Sequence, residues 1–123
     1  MNDRELLELA ARAAGIKARW FKVAQWRQVG GNRMKIGQDD VFGTHHRKPW
    51  NPLTDDGDAL RLAVKLRLDI TFYNGFQEVA AEPSNGDGMN PCQEVFTENP
   101  YAATRRAIVR AAAEIGKSMG GGE

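Results

Sequence analysis

The chain has 123 residues and a mass of 13.6 kDa, with 41% apolar and 27% charged residues, which predicts one domain over residues 1–123. Its seventeen basic and sixteen acidic residues leave a net charge of +1, which argues against a protein that mainly neutralises a nucleic-acid backbone. Its single cysteine, Cys92, excludes an internal disulfide and a multi-cysteine zinc site, and no apolar run is long enough to span a membrane. The charged start is unlike a signal peptide, so a reduced, intracellular protein is the default expectation.

The charge is divided unevenly along the chain. Residues 1–48 hold ten Lys and Arg against five Asp and Glu, whereas residues 49–123 hold seven against eleven. This asymmetry indicates a basic binding face in the first part, unless the two parts interleave in space and their charges cancel.

Hydrophobic periodicity predicts three helices. The first covers about Asp3–Ala14 and ends at Gly15, a residue typical of the position that follows a helix. The second covers about Asp55–Arg67, and its apolar residues span an arc of about 200°, so we expect it to be the most buried. The third runs from about Pro100 or Tyr101 to Met119 with an alanine-rich stripe, and a flexible glycine-rich tail, residues 119–123, follows it.

The stretches between the helices have the alternation and turn residues of β-structure. The predicted strands are Arg19–Gln25, Met34–Ile36, Leu68–Tyr73, Phe76–Ala81 and Gln93–Phe96, with turns at Gly30-Gly31-Asn32 and Asn74-Gly75 and a loop over residues 82–91. The order of elements indicates an α+β domain: a small antiparallel sheet with three helices packed mainly on one face. Whether the middle of the chain forms one sheet or two hairpins stays open.

Three groups that resemble chemical sites favour structural interpretations. His45 and His46 are adjacent, and neighbouring side chains of an extended segment point to opposite faces, which disfavours a shared metal. The acidic residues of 55–58 suit the positive end of a helix dipole as well as they suit Mg²⁺. Because no histidine follows Cys92, a Cys-His nucleophile would need a remote loop. The sequence therefore predicts no enzyme, no metal and no cofactor.

Arginines of the third helix form the first candidate ligand site. Arg106 and Arg110 repeat at a spacing of four, Arg105 flanks them, and the guanidinium group matches phosphate and carboxylate. We expect Arg106 and Arg110 to lie in solvent. The alternative is a solvated face paired with Glu114, Glu98 or Glu94.

The segment before the second helix is the second part of this candidate site. Trp50 precedes an Asn51-Pro52 step, and Thr54 stands at the predicted start of the helix. An aromatic ring beside free backbone N–H groups could form a stacking wall for a ligand. Burial of Trp50 in the core is the alternative.

Three blocks of the chain resemble a group of small accessory proteins of tailed phages and prophages. They are Asp3–Ala10, Trp50–Val64 (WNPLTDDGDALRLAV) and Tyr101–Gly116 (YAATRRAIVRAAAEIG). The Asn-Pro-x-Thr segment and the arginine-bearing C-terminal helix are also similar to NinX-type accessory proteins of lambdoid phages. The resemblance implies a phage or prophage product in the cytoplasm of a bacterial host, and it implies no particular activity or catalytic residue.

These observations support three hypotheses. The first is a non-enzymatic counter-defence protein that sequesters a small anionic, nucleotide-like ligand through the arginines and Trp50. The second is a protein–protein inhibitor of a host defence effector of the CRISPR or restriction type, acting through the basic residues Lys17, Arg19, Lys22, Arg27, Arg33 and Lys35. The third is a homo-oligomeric structural or regulatory phage protein with Trp20, Trp26 and Phe42 at its interface. No membrane partner is expected, and the net charge disfavours direct nucleic-acid binding.

Overall fold

The computed structural model describes residues 1–73, 75, 77–84, 91–96 and 99–120. The helices are α1 (Asp3–Ala14), α2 (Asp56–Leu66) and α3 (Pro100–Met119); the strands are β1 (Arg19–Val29), β2 (Asn32–Thr44), β3 (Lys48–Pro49), β4 (Leu68–Tyr73), β5 (Glu78–Pro83) and β6 (Cys92–Val95). A short 3₁₀ turn, His45–Arg47, joins β2 to β3.

The protein has an α+β fold, as the sequence predicts, and its described strands form two sheets, which answers the question that the sequence leaves open. The described strands give two three-stranded antiparallel sheets, ordered β1-β2-β3 and β4-β5-β6. Each is built around a hairpin of consecutive strands, and α2 lies between them in the chain. Alternation along a strand shows which residues share a face, but it does not show which hairpins share an edge.

Local capping chemistry accounts for the helix starts. The side chain of Asn2 accepts from the Glu5 N–H at 2.8 Å in a capping box. The Asp55 carboxylate accepts from the Asp58 N–H at 2.7 Å, so α2 begins one residue later than predicted. Asn99 caps α3 in the same way, with Pro100 in the first turn.

The prediction that α2 is the most buried helix is wrong. Its Leu60 and Val64 side chains are 63% and 68% exposed, and its buried residues are Ala59, Leu62 and Ala63. Seven residues of α3 are buried, because α3 packs against α1 and α2 and also against the second sheet. Its small alanine side chains allow close packing on both the helices and the second sheet, whereas α2 buries only part of its apolar arc.

Two clusters of buried residues form the core. The larger unites α1, α2 and α3 with Phe42 and Trp50, and the smaller joins α3 to the inner face of the second sheet through Val79, Ala81 and Cys92. Two of the three aromatic residues proposed for a dimer interface belong to the larger cluster, because Phe42 is buried and Trp20 packs against it. Trp26, the third, is 49% exposed.

The first hairpin is longer than the sequence predicts. Its strands pair from Arg19 with Gly43 to Val29 with Asn32, around the predicted glycine turn, and the register shifts after Gln25. An ion-pair network joins the hairpin to α1, because the Asp40 carboxylate contacts Lys22 Nζ at 2.8 Å and Arg4 Nη1 at 3.4 Å. The Lys22 ammonium, with a contribution from Arg4, holds the pKa of the Asp40 carboxyl below its ordinary value.

The second hairpin departs from the predicted two-residue turn. Tyr73 pairs with Glu78, which leaves the four residues 74–77 between β4 and β5. Of the predicted turn and strand residues, Asn74 and Phe76 lie outside the described residues, as do 85–90 of the predicted loop and 121–123 of the predicted tail. The predicted last strand is present as β6.

None of the helices in the described part of the chain combines the length and the apolar character that a membrane crossing requires.

Candidate functional site

The structure does not bring the three predicted arginines of α3 together at one ligand site. Arg105 Nε donates to the Leu53 carbonyl oxygen at 2.8 Å, and its Nη1 donates to the Asp56 carboxylate at 2.6 Å. Its side chain is only 16% exposed. Arg105 therefore joins α3 to the segment that enters α2.

Arg106 and Arg110 point toward a different part of the molecule. Arg110 Nη1 contacts the Glu94 carboxylate at 2.6 Å and the Gln93 carbonyl oxygen at 2.8 Å. Arg106 contacts the Asp3 carboxylate at 3.1 Å and lies 4.0 Å from Glu94. The expectation that both lie in solvent is incorrect, because each is partly buried and paired with carboxylates; the glutamate-paired alternative describes Arg110.

The predicted Trp50 segment is a helix-entry turn whose polar groups contact one another. Trp50 is buried, with its ring centroid 6.1 Å from that of Phe42, so the core alternative describes it. The Asn51 N–H donates to Asp58 Oδ2 at 2.9 Å, and the Asn51 side-chain oxygen accepts from the Leu53 N–H at 3.0 Å. Thr54 Oγ1 donates to the Asn51 carbonyl oxygen at 3.4 Å. These contacts shape the entry to α2.

We expect Arg105→Ala to lower the free energy of unfolding by about 1–2 kcal/mol, because it removes a partly buried charge-assisted bond to the Leu53 carbonyl. The ion pair adds little, since Asp56 is exposed. Urea denaturation measures the change, and Arg61→Ala is the matched control. Arg61 is 71% exposed, and its ion pairs with Asp55 and the partly buried Asp58 lie at the start of its own helix and join no other element, so its removal should cost less than about 0.5 kcal/mol. Equal small losses in both variants would contradict the tethering role of Arg105.

A large cleft lies elsewhere, between the end of α1 and the base of the first hairpin. Its volume is about 1340 Å³. The elements that line it are separated in sequence: the second half of α1, the segment into β1, the end of β2 and the 3₁₀ turn. The lining residues are Glu8, Ala11, Arg12, Ile16, Lys17, Ala18, Arg19, Trp20, Phe21, Phe42, Gly43, Thr44, His45, His46 and Arg47.

Most of the charged side chains that line this cleft are positive. Four cations, Arg12, Lys17, Arg19 and Arg47, line it against one carboxylate, Glu8. None of these four makes an ion pair with any residue that the structure describes. The Glu8 carboxylate accepts a hydrogen bond from Trp20 Nε1 at 2.8 Å. The lining therefore carries a positive field available to an anion.

Aromatic rings lie beside these cations. Trp20 and Phe42 are in contact with ring centroids 4.8 Å apart, and the Arg47 guanidinium lies 5.7 Å from the Phe21 ring centroid. A side chain at Gly43 would place its Cβ 2.5 Å from the Phe21 ring, so glycine is required for that ring to lie against β2. Phe42 is buried, and the Trp20 ring is already covered by Phe42 and by the Arg4 guanidinium at 3.9 Å, so Phe21 is the aromatic ring beside these cations that a planar, negatively charged ligand could contact.

The two histidines occupy the rim of the cleft in an unexpected geometry. His46 and Arg47 have positive φ values of 62° and 58°, so the His45–Arg47 segment forms a turn and is not extended as expected from its sequence. The His45 and His46 rings consequently lie 3.8 Å apart, on the same side. Within the described ranges, no three His, Cys, Asp or Glu side chains are placed to hold a metal ion together.

Cys92 lies on β6, in the smaller core cluster and outside the lining of the cleft. Burial raises the pKa of its thiol, against the opposing influence of the Arg110 guanidinium. A thiolate nucleophile is therefore disfavoured at neutral pH.

No protein-family model, curated protein or solved structure matches this chain. The charge asymmetry of the sequence was the one signal that pointed to the cleft, since all of its cations belong to the basic first 48 residues.

Proposed function

We propose that this protein is a non-enzymatic binding protein that sequesters a small anionic, nucleotide-like ligand in the cleft between α1 and the first hairpin. The observation that carries this proposal is the coincidence, in one cleft, of the Phe21 ring and four cations that form no ion pair with a described residue. Phosphate groups would contact Arg12, Lys17, Arg19 and Arg47, and a base would stack against the Phe21 ring. The cleft has room for a ligand as large as a dinucleotide, since its volume exceeds the roughly 1,000 Å³ of ordinary small-molecule pockets.

The proposed ligand belongs to the class that the sequence predicts, but the proposed site is the cleft and not the α3 arginines with Trp50. The arginines of α3 already have carboxylate and carbonyl partners, so a ligand there would have to displace ion pairs that join secondary structure elements. The cleft cations have no such partners among the described residues, and binding there requires no rearrangement of the core.

The non-enzymatic reading is tested by the fate of the ligand, because the cleft is lined by one carboxylate, hydrogen-bonded to Trp20, and by His45 and His46, which could serve as a general acid or base. The counter-defence setting, in the cytoplasm of a bacterial host, rests on the resemblance to phage and prophage accessory proteins.

Native mass spectrometry of the protein, alone and mixed with a panel of linear and cyclic mono- and dinucleotides, tests the proposal. We expect a one-to-one complex with at least one nucleotide, recovered chemically unchanged after denaturation. Inosine and adenosine, which have the ring but no charge, are the controls and should bind much more weakly. Absence of any complex would contradict the binding role, and recovery of a cleaved nucleotide would contradict a non-enzymatic one.

A further inference from the structure

The outer part of the first hairpin, residues 25–38, is here called the arm. It carries the cations Arg27, Arg33 and Lys35 and no acidic residue. None of the three forms an ion pair with a described residue, although the Arg33 guanidinium lies 4.9 Å from the Trp26 ring centroid. The arm therefore presents a net charge of +3 beside exposed apolar side chains.

The arm has no packing partner among the described elements. Its two strands pair with each other, and β3 extends the sheet only at Gly43 and Thr44, at the base of the hairpin. Every residue of β2 from Asn32 to Asp40 is exposed, including Ile36 at 57%. An isolated two-stranded hairpin is marginal in water, so a surface that packs on the arm would stabilise it.

The outer face of the second sheet has the opposite charge. Cross-strand pairing places Asp69 opposite Glu82 and Tyr73 opposite Glu78 on one face of β4 and β5, and Val95 of β6 continues that face. The alternate residues, such as Val79 and Ala81, face α3, which leaves the acidic residues outward.

Carboxylates on this outer face lack cationic partners. β4, β5 and β6 contain no Lys or Arg, and Asp69, Glu78 and Glu82 make no ion pair with a described residue. Asp69 accepts a hydrogen bond from Ser84 Oγ at 2.8 Å. Two like charges directly opposite each other across a strand pair are unfavourable, so a cation placed between Asp69 and Glu82 would be stabilising.

We infer that two copies of this chain associate reciprocally, with the arm of each copy lying on the acidic outer face of the other. The charges are complementary, because Arg33 and Lys35 share one face of the arm with the exposed Trp26, and the acidic face carries three carboxylates beside the exposed Tyr73 and Val95. A reciprocal contact uses the same two surfaces twice and closes as a dimer. This inference is independent of the nucleotide cleft, because neither the arm nor the outer face lines it.

Sedimentation velocity over a range of protein concentrations, with two charge-reversed variants, tests the inference. The arm variant is Arg33→Glu with Lys35→Glu, and the face variant is Asp69→Lys with Glu82→Lys. We expect the unmodified protein to sediment as a dimer that weakens with added salt. Each variant alone should raise the dissociation constant at least tenfold, because both of its contacts then join like charges.

Mixing the two variants distinguishes the proposed contact from a loss of folding. In the mixture, the acidic arm of one chain meets the basic face of the other, and the basic arm meets the acidic face. The mixture should therefore form a heterodimer although neither variant associates alone. Lys65→Glu with Lys117→Glu is the control, because both lysines are exposed and lie outside the two surfaces. A monomer at all concentrations, a dimer that neither variant weakens, or a mixture that stays monomeric would overturn the inference.

Discussion

Gly116→Ala should lower the free energy of unfolding by about 2–3 kcal/mol, although alanine is the better helix former by about 1 kcal/mol. A Cβ built at Gly116 would lie 2.0 Å from the Leu9 carbonyl oxygen and 2.8 Å from its carbonyl carbon. Both atoms belong to the backbone of α1, so α1 and α3 would have to move apart through the centre of the main core. Thermal and urea unfolding measure the loss.

Gly57→Ala is the matched control for this prediction. Gly57 is also helical, but the atoms nearest its added Cβ are side-chain atoms of Arg61 and Asp55, each at 3.2 Å, and Arg61 can move away at small cost. We expect this variant to be as stable as the unmodified protein, or more stable by up to about 1 kcal/mol. Similar losses at both glycines would show that the close approach of α1 and α3 is not what requires Gly116.

Arg19→Glu combined with Arg47→Glu should weaken binding of the nucleotide identified by mass spectrometry at least about 100-fold, since charge-assisted hydrogen bonds contribute about 1.5–3 kcal/mol each. The two arginines line the cleft from different elements, β1 and the 3₁₀ turn. Neither makes an ion pair with a described residue, so the melting temperature should change little. Isothermal titration calorimetry measures the affinity.

Two comparisons make this result specific to the cleft. Lys65→Glu with Lys117→Glu changes the net charge by the same amount away from the cleft lining, and it should leave the affinity within about twofold if local contacts dominate. Arg110→Ala should likewise leave the affinity unchanged, because that guanidinium contacts β6. Loss of binding in Arg110→Ala with retention in the cleft variant would place the ligand on α3 and refute the cleft.

Helix boundaries were the part of the fold that the sequence predicted best. α1 and α3 have the predicted bounds because Asn2, Gly15, Asn99 and Pro100 act within one turn of their own positions. The glycine turn of the first hairpin is correct for the same reason, since Gly30 and Gly31 both have positive φ.

Predictions about the environment of a side chain were less accurate. The apolar arc of α2 was read correctly from the sequence, yet Leu60 and Val64 are exposed, because nothing in the described chain covers that side. Arg105 and Arg106 are adjacent, but consecutive helical residues point about 100° apart, so they contact different parts of the molecule. The partners of these two arginines are far away in sequence.

The sequence by itself determined the α+β class, the helix ends and the concentration of cations in the first 48 residues, because each depends on composition or on neighbours within a few positions. Only the tertiary structure decided that the strands form two sheets, that the α3 arginines serve as tethers and that the cleft joins α1, β1 and the His45–Arg47 turn. The physical reason is that strand pairing and helix packing bring together residues tens of positions apart. Local hydrophobic periodicity does not indicate which distant residues will meet.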